Sequence, residues 1–326
     1  MRKFLGTVFI VLIVLFFGGC FLVMHGVMKQ FHLEKPTVAK SSILLLRLDG
    51  IIINDRNFLS NLDRYASKSN IKGVLVRVNS PGGVVGPSQE MYAELTRVRT
   101  KLHKPVVVSV GSMAASGAYY VSLGANKIVT NPGSMVGSIG VIMEFADLQK
   151  LYHWAKIKRF VIKTGPYKDS GSEFRAMRPD EKAYFQKLVD NVLVQFKTAV
   201  VDSRHLTMAQ VTKLADGRVF TGEQAVQLHL ADQIGTLHDA EVLVGKMAGV
   251  GTHPTIFVPP PRRPQYLFDL LNSRAQVPDF NASTPSGLAA SVGSQVAFQL
   301  RDMLHTQLWG QPLMILPEAM NLLGGH

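Results

Sequence analysis

Residues 105–120 read PVVVSVGSMAASGAYY, and this stretch decides how the chain folds. Its first half is a valine-rich apolar run that predicts a buried strand over residues 105–110. Its second half consists mostly of small residues and predicts a helix over residues 114–123. A strand followed directly by a helix is the first part of a βαβ unit.

The segments on both sides repeat this alternation of strand and helix. The patterns predict strands over residues 42–54, 73–78, 127–130, 134–142 and 158–162, and helices over residues 58–68, 87–102 and 178–203. Alternation of this kind predicts an α/β protein with a largely parallel sheet. A functional site is then expected in the loops at the carboxyl ends of the strands.

The overall charge restricts the classes of partner. The net charge is +12 and the sequence pI is about 9.8, which suits either nucleic acid or an anionic membrane surface. No RNP, zinc-binding or helix-turn-helix signature is present, so nucleic acid is not expected as a partner. The single Cys20 excludes an intrachain disulfide and a cysteine metal cluster.

The N-terminus indicates a membrane anchor. Residues 1–3 carry two positive charges, and residues 4–24 contain no charged side chain and could span ~30 Å of hydrocarbon as a helix. No typical cleavage pattern closes this run, and Phe17-Gly18-Gly19-Cys20 is only a loose match to a lipoprotein cleavage site. We therefore predict a single-pass, uncleaved signal anchor in the cytoplasmic (inner) membrane, with residues 1–3 in the cytoplasm and the remainder outside it.

The rest of the chain divides into a linker, a domain and a tail. The linker covers residues 25–41 and the α/β domain covers residues 42–258. Residues 259–326 form a tail that begins with a stiff, basic, proline-rich spacer and contains an apolar patch at residues 313–316. Disorder, membrane binding and binding to the protein's own surface are all open for this tail.

Ser116 is a candidate nucleophile. It lies among small residues where a strand gives way to a helix, and the N-terminus of a helix presents free N–H groups and a positive dipole end. A helix cap or a small packing residue is the alternative role for Ser116. Ser112 is a rival nucleophile by position.

Two further segments could complete such a site. Gly82-Gly83 follows a predicted strand and could present backbone N–H groups to an oxyanion, although a plain turn is the alternative. Lys168 lies in an irregular loop and could act as a base, but only if desolvation keeps it neutral. Ser138, between two glycines at a strand edge, could orient this lysine or belong to a tight turn.

Other kinds of chemistry lack a sequence signature. The histidines are scattered without metal-ligand spacing, and neither a GxSxG elbow nor a P-loop nor a dinucleotide fingerprint occurs. Glu90, Glu94 and Glu144 fit helix surfaces better than a carboxylate pair. We expect no metal and no organic cofactor.

Four segments taken together resemble a known family. They are RVNSPGG at 77–83, SMAASGAYY at 112–120, GSIGV at 137–141 and GPYKD at 165–169. In this order and spacing they closely resemble the signal peptide peptidase A family of membrane-bound Ser–Lys proteases, over residues 42–250. Each segment occurs once, so the chain resembles the short, single-domain form.

The resemblance implies a fold, an activity and an assembly. It implies the Clp-protease/crotonase-like α/β superfold and a serine endopeptidase that degrades remnant signal peptides or other apolar peptides. It assigns Ser116 as nucleophile, Lys168 as general base, Ser138 as the residue that orients the lysine, and the backbone at Gly83, with Gly82 and Gly117, as oxyanion hole. It also implies a homo-oligomer, an octamer in the short form, with serine and lysine contributed by adjacent protomers.

Three other functions remain open at this point. A related Ser–Lys protease could act on membrane-protein segments, and a membrane scaffold could keep the fold without proteolysis. An acyl-CoA hydratase-like enzyme could use the same superfold, but it would leave the anchor and the Ser116–Lys168 pair unexplained.

Overall fold

The computed structural model describes Gly18, residues 38–260 and the backbone of residues 313–315. The strands of this part are β1 Ser42–Asp49, β2 Ile71–Ser80, β3 Gly82–Val84, β4 Val106–Ala115, β5 Lys127–Thr130, β6 Met135–Gly137, β7 Val219–Thr221, β8 Gln233–Ile234, β9 Thr255–Phe257 and β10 Leu313–Ile315. Its helices are α1 Arg56–Ala66, α2 Val85–Thr100, α3 Gly117–Ser122, α4 Gln149–Trp154, α5 Pro179–Arg204, α6 Met208–Leu214, α7 Gly222–Gln227 and α8 Leu237–Met247.

The main sheet has the order β7-β6-β4-β2-β1-β9. The strand β5 pairs with the first half of β4, and β8 continues the sheet beyond β5. Every pairing in this sheet is parallel except the one between β6 and β7. The prediction of an α/β fold with a largely parallel sheet is therefore confirmed.

The middle part of each central strand is apolar because both faces of the sheet are covered there. Helix α8 packs Ala240 and Val244 against one face, where they meet Ile43, Leu75 and Val107. Neighbouring residues on the same strands, whose side chains point to the opposite face, are also fully buried: Leu44, Val74 and Val106. Burial on both faces explains why these strands show no polar alternation.

Several predicted elements differ from the structure; the strand predicted over residues 134–142, for example, covers only Met135–Gly137. Strand β4 continues to Ala115, where a helix was expected from residue 114, because its last three residues pair with β6. The strand predicted over residues 158–162 is wrong: this segment has no regular structure and is exposed to solvent. Its three consecutive apolar residues, at 160–162, find no neighbouring strand in the described part of the chain.

The two terminal predictions fall mostly outside the described residues. The predicted anchor over residues 4–24 lies outside the described residues except for Gly18. The predicted tail also lies outside them from residue 261 onward, except for β10. Within the residues that the structure describes, no helix is both long enough and apolar enough to cross a membrane.

Candidate active site

Ser116 occupies a strained turn between β4 and α3. Its backbone has φ 53° and ψ −118°, a combination that residues other than glycine rarely adopt and that costs ~1–3 kcal/mol. Two hydrogen bonds hold it there: the Ser116 N–H donates to the Gly137 carbonyl at 2.7 Å, and the Ser116 carbonyl accepts from the Tyr120 N–H at 2.9 Å. Strain that is held in this way is typical of functional positions.

The register of the sheet brings Ser138 to the same edge as Ser116. Ala115 of β4 pairs with Gly137 of β6, and each of the two serines directly follows one member of this pair. Ser138 is also buried, with φ 50°, and its N–H donates to the Arg218 carbonyl at 2.9 Å. The two strands that end here are parallel, so both serines lie at their carboxyl ends, as expected.

Gly83 lies at this edge as well, in a position that only glycine can occupy. Ser80 pairs with Ala114 of β4, so the turn into β3 lies beside the end of β4. A Cβ atom on Gly83 would come within 2.0 Å of the Ile52 carbonyl oxygen. This close approach explains the second glycine of the pair.

The N–H and C=O groups of Gly83 lie on the edge of β3 opposite Ile52. The Ile52 N–H donates to the Gly82 carbonyl and the Val84 N–H donates to the Ile52 carbonyl, each at 2.8 Å. Successive residues of a strand direct their N–H and C=O groups to alternate edges, so those of Gly83 face away from Ile52. The N–H of Gly83 therefore points to the edge of β3 opposite Ile52.

Ser112 differs from Ser116 in its position. It lies inside β4 rather than at its end, and its side chain is exposed. Ser116 is only 1% exposed, and its hydroxyl forms no hydrogen bond with another described residue. The geometry of a nucleophile at a strand-to-helix turn therefore belongs to Ser116 and not to Ser112.

Lys168 is not joined to these serines in the single chain. It lies in an exposed loop, where its backbone N–H donates to the Gly165 carbonyl at 3.2 Å. Among the described residues, no hydrogen bond or ion pair links its ammonium to Ser116 or Ser138. The desolvation that a lysine base needs is therefore absent from the isolated chain.

A network of charges fixes the loop on both sides of Lys168. Asp169 accepts from Lys163 at 2.5 Å and from Arg175 at 3.2 Å. Glu181, whose side chain is fully buried, accepts from two nitrogens of Arg175 at 2.8 and 2.5 Å and from the Ser170 hydroxyl at 3.2 Å. Lys163 thus forms an ion pair with Asp169. Lys168, in the same loop, forms no ion pair with any described residue.

The network also shifts the acidity of its carboxyl groups. The hydrogen bonds from Arg175 lower the pKa of Glu181 to about 2 and hold the pKa of Asp169 well below its usual range. The sequence analysis did not identify Glu181 or Arg175. An acidic residue in the first turn of a helix that begins with Pro179 was the available signal, but helix capping explains that pattern equally well.

The described residues contain no group of three or more His, Cys, Asp or Glu side chains that could hold a metal ion. What they bring together is a buried serine hydroxyl, a second buried serine and a directed backbone N–H. This set can carry out nucleophilic attack on a carbonyl and stabilise the resulting oxyanion, provided that a base reaches the serine.

Comparison with known proteins finds a family that this part of the chain resembles. Residues 99–250, which contain Ser116, Ser138 and Lys168, match the model of Peptidase family S49. A protein named as a protease from Synechocystis sp. is 41% identical over 177 residues, which covers 54% of this chain and 63% of that protein. A protein named as a protease from Methanocaldococcus jannaschii is 40% identical over 195 residues, covering 60% of this chain and 62% of that protein.

A third relative carries a more specific name. A protein from Enterococcus faecium named as the signal peptide peptidase SppA is 35% identical over 187 residues, covering 57% of this chain and 54% of that protein. The matches thus span between 54% and 63% of the length of these relatives. With the family match across the candidate site, these similarities show that residues 99–250 resemble peptidase family S49.

Proposed function

We propose that this protein is a membrane-anchored serine endopeptidase that degrades remnant signal peptides with a Ser–Lys dyad. The observation that carries the proposal is the strained, buried Ser116 at the same sheet edge as the directed N–H of Gly83. In this proposal Lys168 is the base and Ser138 orients it. Gly83 supplies the main oxyanion donor, with Gly82 and Gly117 beside it.

The proposed mechanism uses only groups of the protein and water. Neutral Lys168 removes the proton of the Ser116 hydroxyl, whose oxygen attacks the scissile carbonyl while the Gly83 N–H stabilises the oxyanion. The lysine ammonium then protonates the leaving amine, which leaves an acyl-enzyme on Ser116. Water hydrolyses this ester with the lysine again as base.

The exposed position of Lys168 supports a site shared between protomers. The segment from α4 to the Lys168 loop exposes several large apolar side chains, which we call the apolar arm: Leu151, Trp154, Ile157, Phe160, Val161 and Ile162. Trp154 is 81% and Phe160 is 88% exposed. A patch of this kind marks an interface, so we propose that a second copy of the chain covers the arm and desolvates the lysine.

The remaining parts of the proposal follow the resemblance. The domain of residues 42–258 would have the Clp-protease/crotonase-like superfold and assemble as an octamer. The anchor over residues 4–24 would hold this domain outside the cytoplasmic membrane. An anchor suits a protease of membrane debris because both the enzyme and its apolar peptides are then kept at the bilayer.

Peptide hydrolysis by the full chain in detergent micelles tests the proposed activity. We expect cleavage of a fluorogenic peptide with small apolar residues and of a synthetic signal peptide. The rate should rise between about pH 6 and about pH 10, because a lysine acts as a base only when neutral. A flat profile over this range would argue against a lysine base, and no cleavage by an assembled protein would favour the non-catalytic scaffold.

Mixing two inactive variants tests whether the site is shared. Ser116→Ala and Lys168→Ala chains, mixed under conditions that exchange subunits, should regain activity, because some sites then combine an intact serine with an intact lysine. Peptide hydrolysis measured before and after mixing checks this. Absence of recovery, with exchange shown by labelled subunits, would place the whole site within one protomer.

A surface variant supplies the matched control for this experiment. Phe160→Asp in both chains should prevent recovery and shift the assembled species to monomer in analytical ultracentrifugation, because it charges the apolar arm. Val258→Asp changes an exposed apolar residue outside the arm and should leave both assembly and recovery intact.

A further inference from the structure

The strand β10 lies against the candidate active site, although it comes from the C-terminal tail. It pairs antiparallel with β3, with Leu313 opposite Val84, Met314 opposite Gly83 and Ile315 opposite Gly82. These two strands form a small sheet of their own, separate from the main one. The glycine pair at the site is therefore covered by a segment of the same chain.

The pairing engages the N–H group that the proposed mechanism needs. Gly82 and Val84 bond to Ile52 on one edge of β3, so the N–H and C=O of Gly83 face the other edge, where Met314 lies. In an antiparallel ladder, two opposite residues whose groups face each other exchange both hydrogen bonds. The backbone of Met314 thus meets the proposed oxyanion donor.

The same segment lies close to the nucleophile. Helix α3, which begins directly after Ser116, contacts both β3 and β10. An extended peptide added to a free strand edge is a common way in which proteins bind peptides. A substrate whose carbonyl takes the Gly83 N–H would have to occupy the edge that β10 now fills.

We propose that Leu313–Ile315 is an internal competitor that occupies the substrate-binding edge of β3. The competition with substrate rests on the proposed function, whereas the pairing of β10 with β3 is observed independently of it. The occupant is the chain's own tail, and a peptide substrate gains the Gly83 N–H only when this segment leaves. The tail therefore raises the substrate concentration that the enzyme needs, without changing the chemical step.

The sequence around β10 fits a reversible occupant. Residues 313–316 are apolar, as expected for a peptide resembling an apolar substrate, and Pro312 and Pro317 enclose them. Proline has no N–H to donate to a ladder, and position 312 lies two residues before Met314, on the same edge of a continuous strand, so Pro312 could donate no further hydrogen bond to β3. A ladder this short is easily displaced by a longer peptide.

Disulfide trapping tests the pairing without any reference to catalysis. In full chains that carry Cys20→Ser and Ser116→Ala, we expect Val84→Cys with Leu313→Cys to form a disulfide under mild oxidation. Val84 and Leu313 lie opposite each other and form a non-hydrogen-bonded pair of the ladder. The two Cα atoms of such an antiparallel pair are about 4.5 Å apart, which a disulfide can bridge. Val84→Cys with Met314→Cys is the matched control, because adjacent strand residues point to opposite faces.

Steady-state kinetics tests the consequence. Met314→Pro removes the N–H aimed at the Gly83 carbonyl, so the KM for a fluorogenic peptide should fall while kcat stays unchanged. A threefold fall would mean that the segment occupies the edge about two thirds of the time. Ala319→Pro, outside β10, should leave the KM as in the unsubstituted chain.

The two measurements separate the two proposals. Equal trapping of the Met314 and Leu313 pairs, or a cross-link found only between two chains, would overturn the pairing within one chain. A KM that stays unchanged in Met314→Pro, with hydrolysis intact, would overturn the competition. If no chain hydrolyses the peptide, the proposed function fails, and the trapping result alone decides whether the tail occupies this edge.

Discussion

Replacing Ser116 by alanine is expected to lower kcat/KM for peptide hydrolysis by about a thousandfold or more. The reason is that the hydroxyl at the strand-to-helix turn has no substitute: Ser112 lies within β4 with an exposed side chain, away from the turn. Hydrolysis of a fluorogenic peptide by the full chain measures this loss. Ser112→Ala is the matched control and should keep most of the activity.

The backbone of Ser116 provides a second readout on the same residue. Its φ of 53° strains any residue with a Cβ atom, and glycine relieves that strain. We expect Ser116→Gly to be more stable than Ser116→Ala by about 1 kcal/mol while both are inactive. If Ser116→Ala keeps its hydrolysis rate while Ser112→Ala loses it, the nucleophile is Ser112 and the strain at Ser116 has another origin.

Replacing Glu181 by glutamine should destabilise the Lys168 loop and reduce peptide hydrolysis together. The fully buried carboxylate accepts hydrogen bonds from Arg175 and Ser170, and the neutral amide leaves the half-buried guanidinium of Arg175 partly uncompensated. We expect a loss of about 2 kcal/mol in unfolding free energy, at the low end for a broken buried pair because Arg175 is partly hydrated. Denaturant unfolding measures it.

The same substitution should change how stability depends on pH. The pKa of Glu181 is lowered to about 2 from an ordinary value of 4.5, so its stabilisation is present above about pH 4.5 and is lost as the pH falls toward about 2. Glu181→Gln should therefore flatten this acid limb of the stability curve. Glu223→Gln, at an exposed glutamate, is the control, and an unchanged acid limb in Glu181→Gln would contradict the assignment.

The core of the fold could be predicted because its strands are marked locally. Lys127–Thr130 has the predicted bounds, and the long helix Pro179–Arg204 begins and ends within one residue of its prediction. Non-local pairing decides the elements that were predicted wrongly. Strand β4 extends through Ala115 only because β6 lies beside it, and residues 158–162 have a strand-like pattern without a partner strand.

The sequence predicts which residues belong to the candidate site, but it does not predict how they are arranged. Small residues after a strand indicated Ser116, and a glycine pair indicated Gly83, because both patterns relax local steric limits. The positive φ of Ser116 depends on the Gly137 carbonyl, and the anchoring of the Lys168 loop depends on Arg175 and Glu181. Contacts of this kind join segments that no local pattern connects.

The pairing of the first and last strands of the main sheet has a consequence for biosynthesis. Strand β1 is flanked by β9, with Ser42 opposite Thr255 and Leu44 opposite Phe257, so the sheet joins the two ends of the domain. A chain still on the ribosome cannot complete this edge until Phe257 has emerged. The β6–β7 pair that supports Ser138 likewise awaits the synthesis of Thr221. Until then, the edge of the sheet that positions Ser116 and Ser138 is incomplete, so the candidate site forms only after synthesis of the domain is complete.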